Sequence, residues 1–178
     1  MRKLLLAFLL SSGVSAGASE TAPAEPVDST KAFLVHVKTA LSVDDAQICV
    51  VPNVALAVLQ AGHPVAVLFD GSAVTSVAEG FGWRGWFGIE STAMDRARLP
   101  ERERESISDQ LGVPLENVPK NYGAYLHLLK DKGIPLYYNR TMAVLYRIAP
   151  EKIDPALKPL GLTDMVQLLS SPAVYLVY

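Results

Sequence analysis

Residues 133–147 (GIPLYYNRTMAVLYR) run from a helix-stopping glycine through a short apolar segment to a polar tip, Asn139-Arg140-Thr141, and on into a helical turn. Glycine accepts the left-handed backbone of a helix end, and so short an apolar run fits a strand covered on both faces. This order restricts the chain to an α/β sheet in which helices feed strands and strands present polar tips at one edge. Two other segments have the same grammar. Residues 32–37 (AFLVHV) make a first strand ending at Lys38 and Thr39. Residues 64–69 (PVAVLF) make a second, after Gly62 and before the turn Asp70-Gly71-Ser72. The expected architecture is a three-layer α/β sandwich: a mostly parallel sheet flanked by helices, as in flavodoxin-like proteins.

The helices follow from caps and periodicity. Residues 42–45 (SVDD) read as a helix start, with Ser42 as the cap and Asp44 and Asp45 at the positive end of the dipole. That helix is expected to reach Ala61, with a kink or a break at Pro52, which lacks the N–H a helix interior needs. Residues 99–111 (LPERERESISDQL) predict an exposed, charged helix with Pro100 in its first turn. A helix opened by Asn121 places Tyr122, Tyr125, Leu126 and Leu129 on one stripe, and Gly133 ends it. A third strand spans 134–138, and Asn139 caps a helix over 142–147. A proline-punctuated link, a helix over 163–169 and a closing strand over 173–177 (AVYLV) complete the domain.

At the amino end, Arg2-Lys3 precedes an apolar run over 4–10 and then small residues up to Ala18. This is the pattern of a secretory signal peptide, residues 1–18, cleaved after Ala18; the run is too short to cross a bilayer. Residues 19–30 (SETAPAEPVDST) read as a flexible linker, which leaves a single domain over 31–178. The expectation is an exported protein, periplasmic or secreted, with no membrane association after cleavage. Without Arg2 and Lys3 the 16 basic and 18 acidic residues become 14 and 18, a formal charge of −4. Nucleic acid is therefore not an expected partner, because phosphate binding needs clustered cations. One cysteine, Cys49, permits no intramolecular disulfide, so packing must stabilise the domain.

The order of elements resembles the DsrE/DsrF-like family, members of which take part in sulfur relay. Three strings carry the resemblance: the helix end 56–62 with the strand 65–69, the segment 128–138 (LLKDKGIPLYY), and the closing stretch 162–177. In sulfur-carrying members, the strand matching 134–138 is followed by a cysteine that accepts a persulfide sulfur. Here Asn139 stands at that position, and an amide cannot be a thiolate. The resemblance also implies a homo-oligomer, commonly a trimer or a multiple of one. Residues 81–88 (FGWRGWFG) are the expected contact, the alternatives being a loop over the core or a pocket lid.

Three strand ends place Lys38 and Thr39, then Asp70 and Ser72, then Asn139 and Arg140 at one edge, where open α/β sheets bind ligands. These residues fit a small anionic or sulfur-containing ligand, or else simply cap helices and solvate the edge. Cys49 reads as a buried structural thiol; the alternative is a redox or sulfur-accepting site exposed by Pro52. His36 is expected to be hydrogen-bonded within the sheet. With His63 and His127 it shows no metal-ligand spacing, so no metal is expected. No G-x-S-x-G, phosphate loop or dinucleotide fingerprint is present, so no cofactor is expected either. The combined reading is a non-catalytic DsrE-like module, without persulfide-carrier activity, that binds a small ligand or assembles into oligomers. Its rival is a thiol-based sulfur carrier or redox protein using Cys49.

Overall fold

The computed structural model describes residues 31–81, 90–171 and 173–178. The expected signal peptide and linker lie outside these residues. So does the aromatic strip 81–88 except for Phe81, which packs half-buried against the core. Among the described residues five strands form one sheet: β1 (Ala32–Val37), β2 (Val65–Phe69), β3 (Leu136–Asn139), β4 (Lys158–Leu160) and β5 (Ala173–Val177). Their spatial order is β4-β3-β2-β1-β5, and every pairing is parallel.

Register assigns the two faces. Val37, Phe69 and Tyr138 lie in one row and Val35, Val67 and Leu136 in another. Side chains alternate along a strand, so Leu34, His36, Leu68, Tyr137 and Tyr175 project from the opposite face. Helices α1 (Asp45–Gln60) and α4 (Tyr122–Asp131) cover the first face. Ile48, Val51 and Leu56 from α1 and Tyr125, Leu126 and Leu129 from α4 join the strand residues in one buried cluster. At roughly 1.5–3 kcal/mol for each large apolar side chain removed from water, this cluster is the main source of stability. On the second face α6 (Leu162–Ser170) lies over the sheet, where Leu168 and Leu169 share a small cavity with Leu34 and Tyr175. The layers are thus helix, sheet, helix.

Several local expectations change. Asp44, not Ser42, caps α1, its carboxylate accepting from the Gln47 amide at 3.3 Å. Ser42 sits in a preceding turn in which the amides of Val43 and Asp44 both bond the Ala40 carbonyl. Pro52 does not split the helix. α1 runs unbroken through it, because Pro52 sits on the buried side with Ile48, Val51 and Ala55, and burial offsets the ~3 kcal/mol intrinsic cost of an interior proline. Strand β3 begins and ends later than expected, at Leu136 and Asn139. Helix α5 (Arg140–Leu145) starts earlier, with Asn139 as its cap as anticipated. The proline-punctuated link holds β4. The stretch before Pro100 holds a short α2 (Ala93–Arg96), closed by a reciprocal cap between Thr92 and Asp95. The charged helix α3 (Glu101–Leu111) buries only Ile107, as its composition predicts.

Candidate functional site

The carboxyl edge of the sheet carries a line of polar side chains that crosses four strands. His36, near the end of β1, is buried, and its Nε2 lies 2.9 Å from Asp70 Oδ2 just past β2. On its other side, His36 Nδ1 meets the hydroxyl of Tyr175 on β5. Asp70 Oδ1 accepts from Asn139 Nδ2 at 2.6 Å, across β2 and β3, and from the Gly71 amide at 2.7 Å. Asn139 Oδ1 accepts from the amides of Thr141 at 2.8 Å and Met142 at 3.3 Å, which holds the start of α5.

The donors and acceptors fix the protonation of this line. An ionised carboxylate only accepts, so His36 carries its proton on Nε2 and presents Nδ1 as the acceptor for the Tyr175 hydroxyl. Burial lowers the pKa of His36, although Asp70 pulls the other way. Burial alone would raise the Asp70 carboxyl, but the hydrogen bonds from Asn139, Gly71 and His36 prevail and hold it below the usual carboxylate range. Burial, reinforced by the negative charge of Asp70, raises the Tyr175 phenol. The resting state is therefore an ionised aspartate, a neutral imidazole and a neutral phenol. It is a proton-holding line with an exposed tyrosine at its outer end.

Of the six residues placed at this edge by sequence, Asp70 and Asn139 are in direct contact. Ser72 turns inward, where its Oγ accepts from the Ala40 amide at 2.9 Å and donates to the Lys38 carbonyl at 3.2 Å. Gly71 passes close beneath that carbonyl: with φ +51, an added Cβ would stand 3.0 Å from the Lys38 oxygen, so only glycine fits. Lys38 and Arg140 are exposed and Thr39 is half-buried. None of the six side chains lines the cavities of about 600, 460, 360 and 240 Å³ found elsewhere in the domain. Tyr175 is the member of the line that sequence reasoning missed; His36 was expected to be hydrogen-bonded within the sheet, as it is, but not to join the strand-end residues. The one available signal was a histidine among β-branched residues in β1, where a buried imidazole requires partners.

Cys49 lies half-buried in a groove between α1 and α3, lined also by Asp45, Glu103 and Tyr122. Burial pushes its thiol up to about 11. The Tyr122 hydroxyl opposes that shift, and the carboxylates of Asp45 and Glu103 add to it. Tyr122 itself donates to Glu103 at 2.6 Å. A thiolate is thus disfavoured here, although Arg98 also lines the groove. Among the described residues, no three His, Cys, Asp or Glu side chains converge to hold a metal ion.

No protein-family model matches the chain, and no curated protein matches it in sequence. Solved structures do match. The YchN protein of E. coli superposes with a TM-score of 0.52 at 12% identity, covering 84% of this chain and 99% of its own. MTH1491 of Methanobacterium thermoautotrophicum, a protein of unknown function, gives 0.51 at 6% identity, covering 83% and 99%. The chain has a DsrE-like fold. At such identities the likeness extends to architecture alone. Within this DsrE-like fold, Asn139 sits at the end of the third strand with both ends of its amide engaged, one by Asp70 and the other by α5.

Proposed function

We propose that this chain is an exported, non-catalytic DsrE-like module that assembles with further copies of itself through the α6 side of the sheet. The observation that carries this reading is the outward apolar stripe of α6. Leu162, Val166 and Leu169, spaced i, i+4, i+7, are 64%, 65% and 41% exposed, and α6 buries no residue of its own. An amphipathic helix normally turns such a stripe inward. Tyr175 and Val177 on β5, and Val144, Leu145 and Tyr146 at the end of α5, are exposed as well. The proposed occupant is a second copy because soluble oligomers are mostly homomeric and the family resemblance implies one. Export rests on the pattern of residues 1–18.

The loss of sulfur-carrier chemistry rests on Asn139, which stands where the resemblance places the reactive cysteine and works as a cap. The high pKa of Cys49 argues against the rival use of that thiol. Lys38, Thr39 and Arg140 remain the residues of the edge to which a small anionic or sulfur-containing ligand would bind.

Light scattering on the purified protein at micromolar concentration tests the assembly. The expected mass is a small multiple of the protomer, and Val166→Glu is expected to reduce it to that of one chain while leaving the far-UV circular dichroism unchanged. A monomer across the micromolar range would overturn the reading.

A further inference from the structure

Strand β5 forms one edge of the sheet: among the described residues it pairs with β1 alone. Two hydrogen bonds fix the direction of its backbone groups. The Tyr178 N–H donates to the His36 carbonyl at 2.9 Å, and the Lys38 N–H donates to the Tyr178 carbonyl at 2.6 Å, so both polar groups of Tyr178 point to β1. Backbone groups alternate sides along a strand. Those of Leu176 therefore also point to β1, while those of Tyr175 and Val177 point out from the edge. The two edges of the sheet are built differently. On β4, Lys158 and Pro159 are exposed, a charge and a missing N–H that discourage a further strand. Residues 173–178 (AVYLVY) contain neither charge nor proline, and Tyr175 and Val177 are 48% and 53% exposed. Their side chains stand on the His36 face, over which α6 lies, so open backbone and exposed apolar side chains coincide at one edge. An unguarded edge of this kind is a template for another strand.

We propose that the β5 edge pairs, antiparallel and about a twofold axis, with the β5 edge of a second copy of this chain, joining the two sheets into one. This rests on the assembly reading above and gives it a geometry. The occupant is the same strand because the edge is its own complement. Turned through the twofold, Tyr175 lies opposite its counterpart, each N–H meets the other's carbonyl, and no like charges are brought together. The two phenol rings then stand side by side, as aromatic cross-strand pairs do. The axis is normal to the sheet, so both α6 helices lie on one side of the joined sheet, and the assembly holds an even number of chains.

Amide hydrogen exchange read by NMR on the purified protein, with light scattering on the same samples, tests the pairing. In the assembled protein the Tyr175 and Val177 amides are expected to exchange at least about tenfold more slowly than in Val166→Glu. The Leu176 amide, already bonded to β1, is the internal reference and should be slow in both. Val177→Pro removes an outward N–H and no bond to β1, and is expected to halve the mass of the assembly or reduce it further, with unchanged far-UV circular dichroism. Should that variant unfold, the exchange of Tyr175 and Val177 in the parent decides. An assembly in which those two amides exchange as fast as in Val166→Glu, an odd number of chains, or a folded Val177→Pro of unchanged mass would each overturn the edge pairing and leave the assembly reading standing. A parent that stays monomeric would overturn both.

Discussion

At the scale of residues, His36 sets the acid sensitivity of the domain. Its folded pKa lies below the ordinary value of 6.5, so the neutral ring stabilises the fold above that pH. That contribution is lost as the pH falls from 6.5 through the folded pKa. Asp70, also depressed, acts in the same direction at lower pH: its contribution is present above the ordinary 3.8 and lost as the pH falls through its folded value. Melting temperature is therefore expected to be level between about pH 7 and 8, to decline in two stages below that window, and to decline again above about pH 9, where the raised Cys49 thiol and the raised tyrosines oppose the ionisation that the unfolded chain permits. The upper stage should be missing in His36→Gln, and an unchanged profile in that variant would refute the assignment. For Cys49, a thiol raised from 9.0 to about 11 holds about a hundredfold less thiolate near pH 8, so alkylation of the native protein should be slower than that of the urea-unfolded chain by a similar factor. Comparable rates would revive the thiol reading. Asp70 and Asn139 were legible in the sequence because a polar residue just after an apolar strand must emerge at the sheet edge. The contact of His36 with Tyr175 was not, because it joins positions 139 apart in sequence and depends on which strand lies beside β1.

At the scale of elements, legibility followed the length of the apolar run. The bounds of β1 and β5 coincide with AFLVHV and AVYLV, and α4 opens at Asn121, whose side chain accepts from the Ala124 amide at 2.7 Å. Strand β4 was hidden because it is three residues long, contains Pro159 and pairs on one side only, with β3. The cap of α1 was misplaced by two residues because several candidate side chains stand together and only the path of the turn chooses among them. Helix α4 also carries a test of packing. Gly123 faces the Asp95 carboxylate so closely that an added Cβ would lie 2.0 Å from Oδ1 and 3.0 Å from the Asp95 amide nitrogen. Alanine normally favours a helix by nearly 1 kcal/mol over glycine, but here the clash should dominate. Gly123→Ala is expected to lower stability by about 1–3 kcal/mol in urea titration, as overpacking does. A stabilised variant would show that α2 gives way at little cost.

At the scale of the whole molecule, the two faces of the sheet are unequally covered. One holds α1, α4 and the main buried cluster; the other exposes the α6 stripe. If copies of the chain cover that stripe, the melting temperature should rise with protein concentration by mass action, and Val166→Glu should abolish the rise. A concentration-independent transition in the parent protein would count against assembly. The α/β class and the sandwich were readable from strand-helix alternation, whereas the strand order was not, because alternation does not say on which side of β1 the last strand docks. That docking has a consequence for biosynthesis. β1 is flanked by β2 and β5, so the first strand to leave the ribosome waits for the last, and His36 has no phenol to bond until Tyr175 has been translated. A nascent chain halted before β5 would expose one whole edge of β1 to any strand seeking a partner.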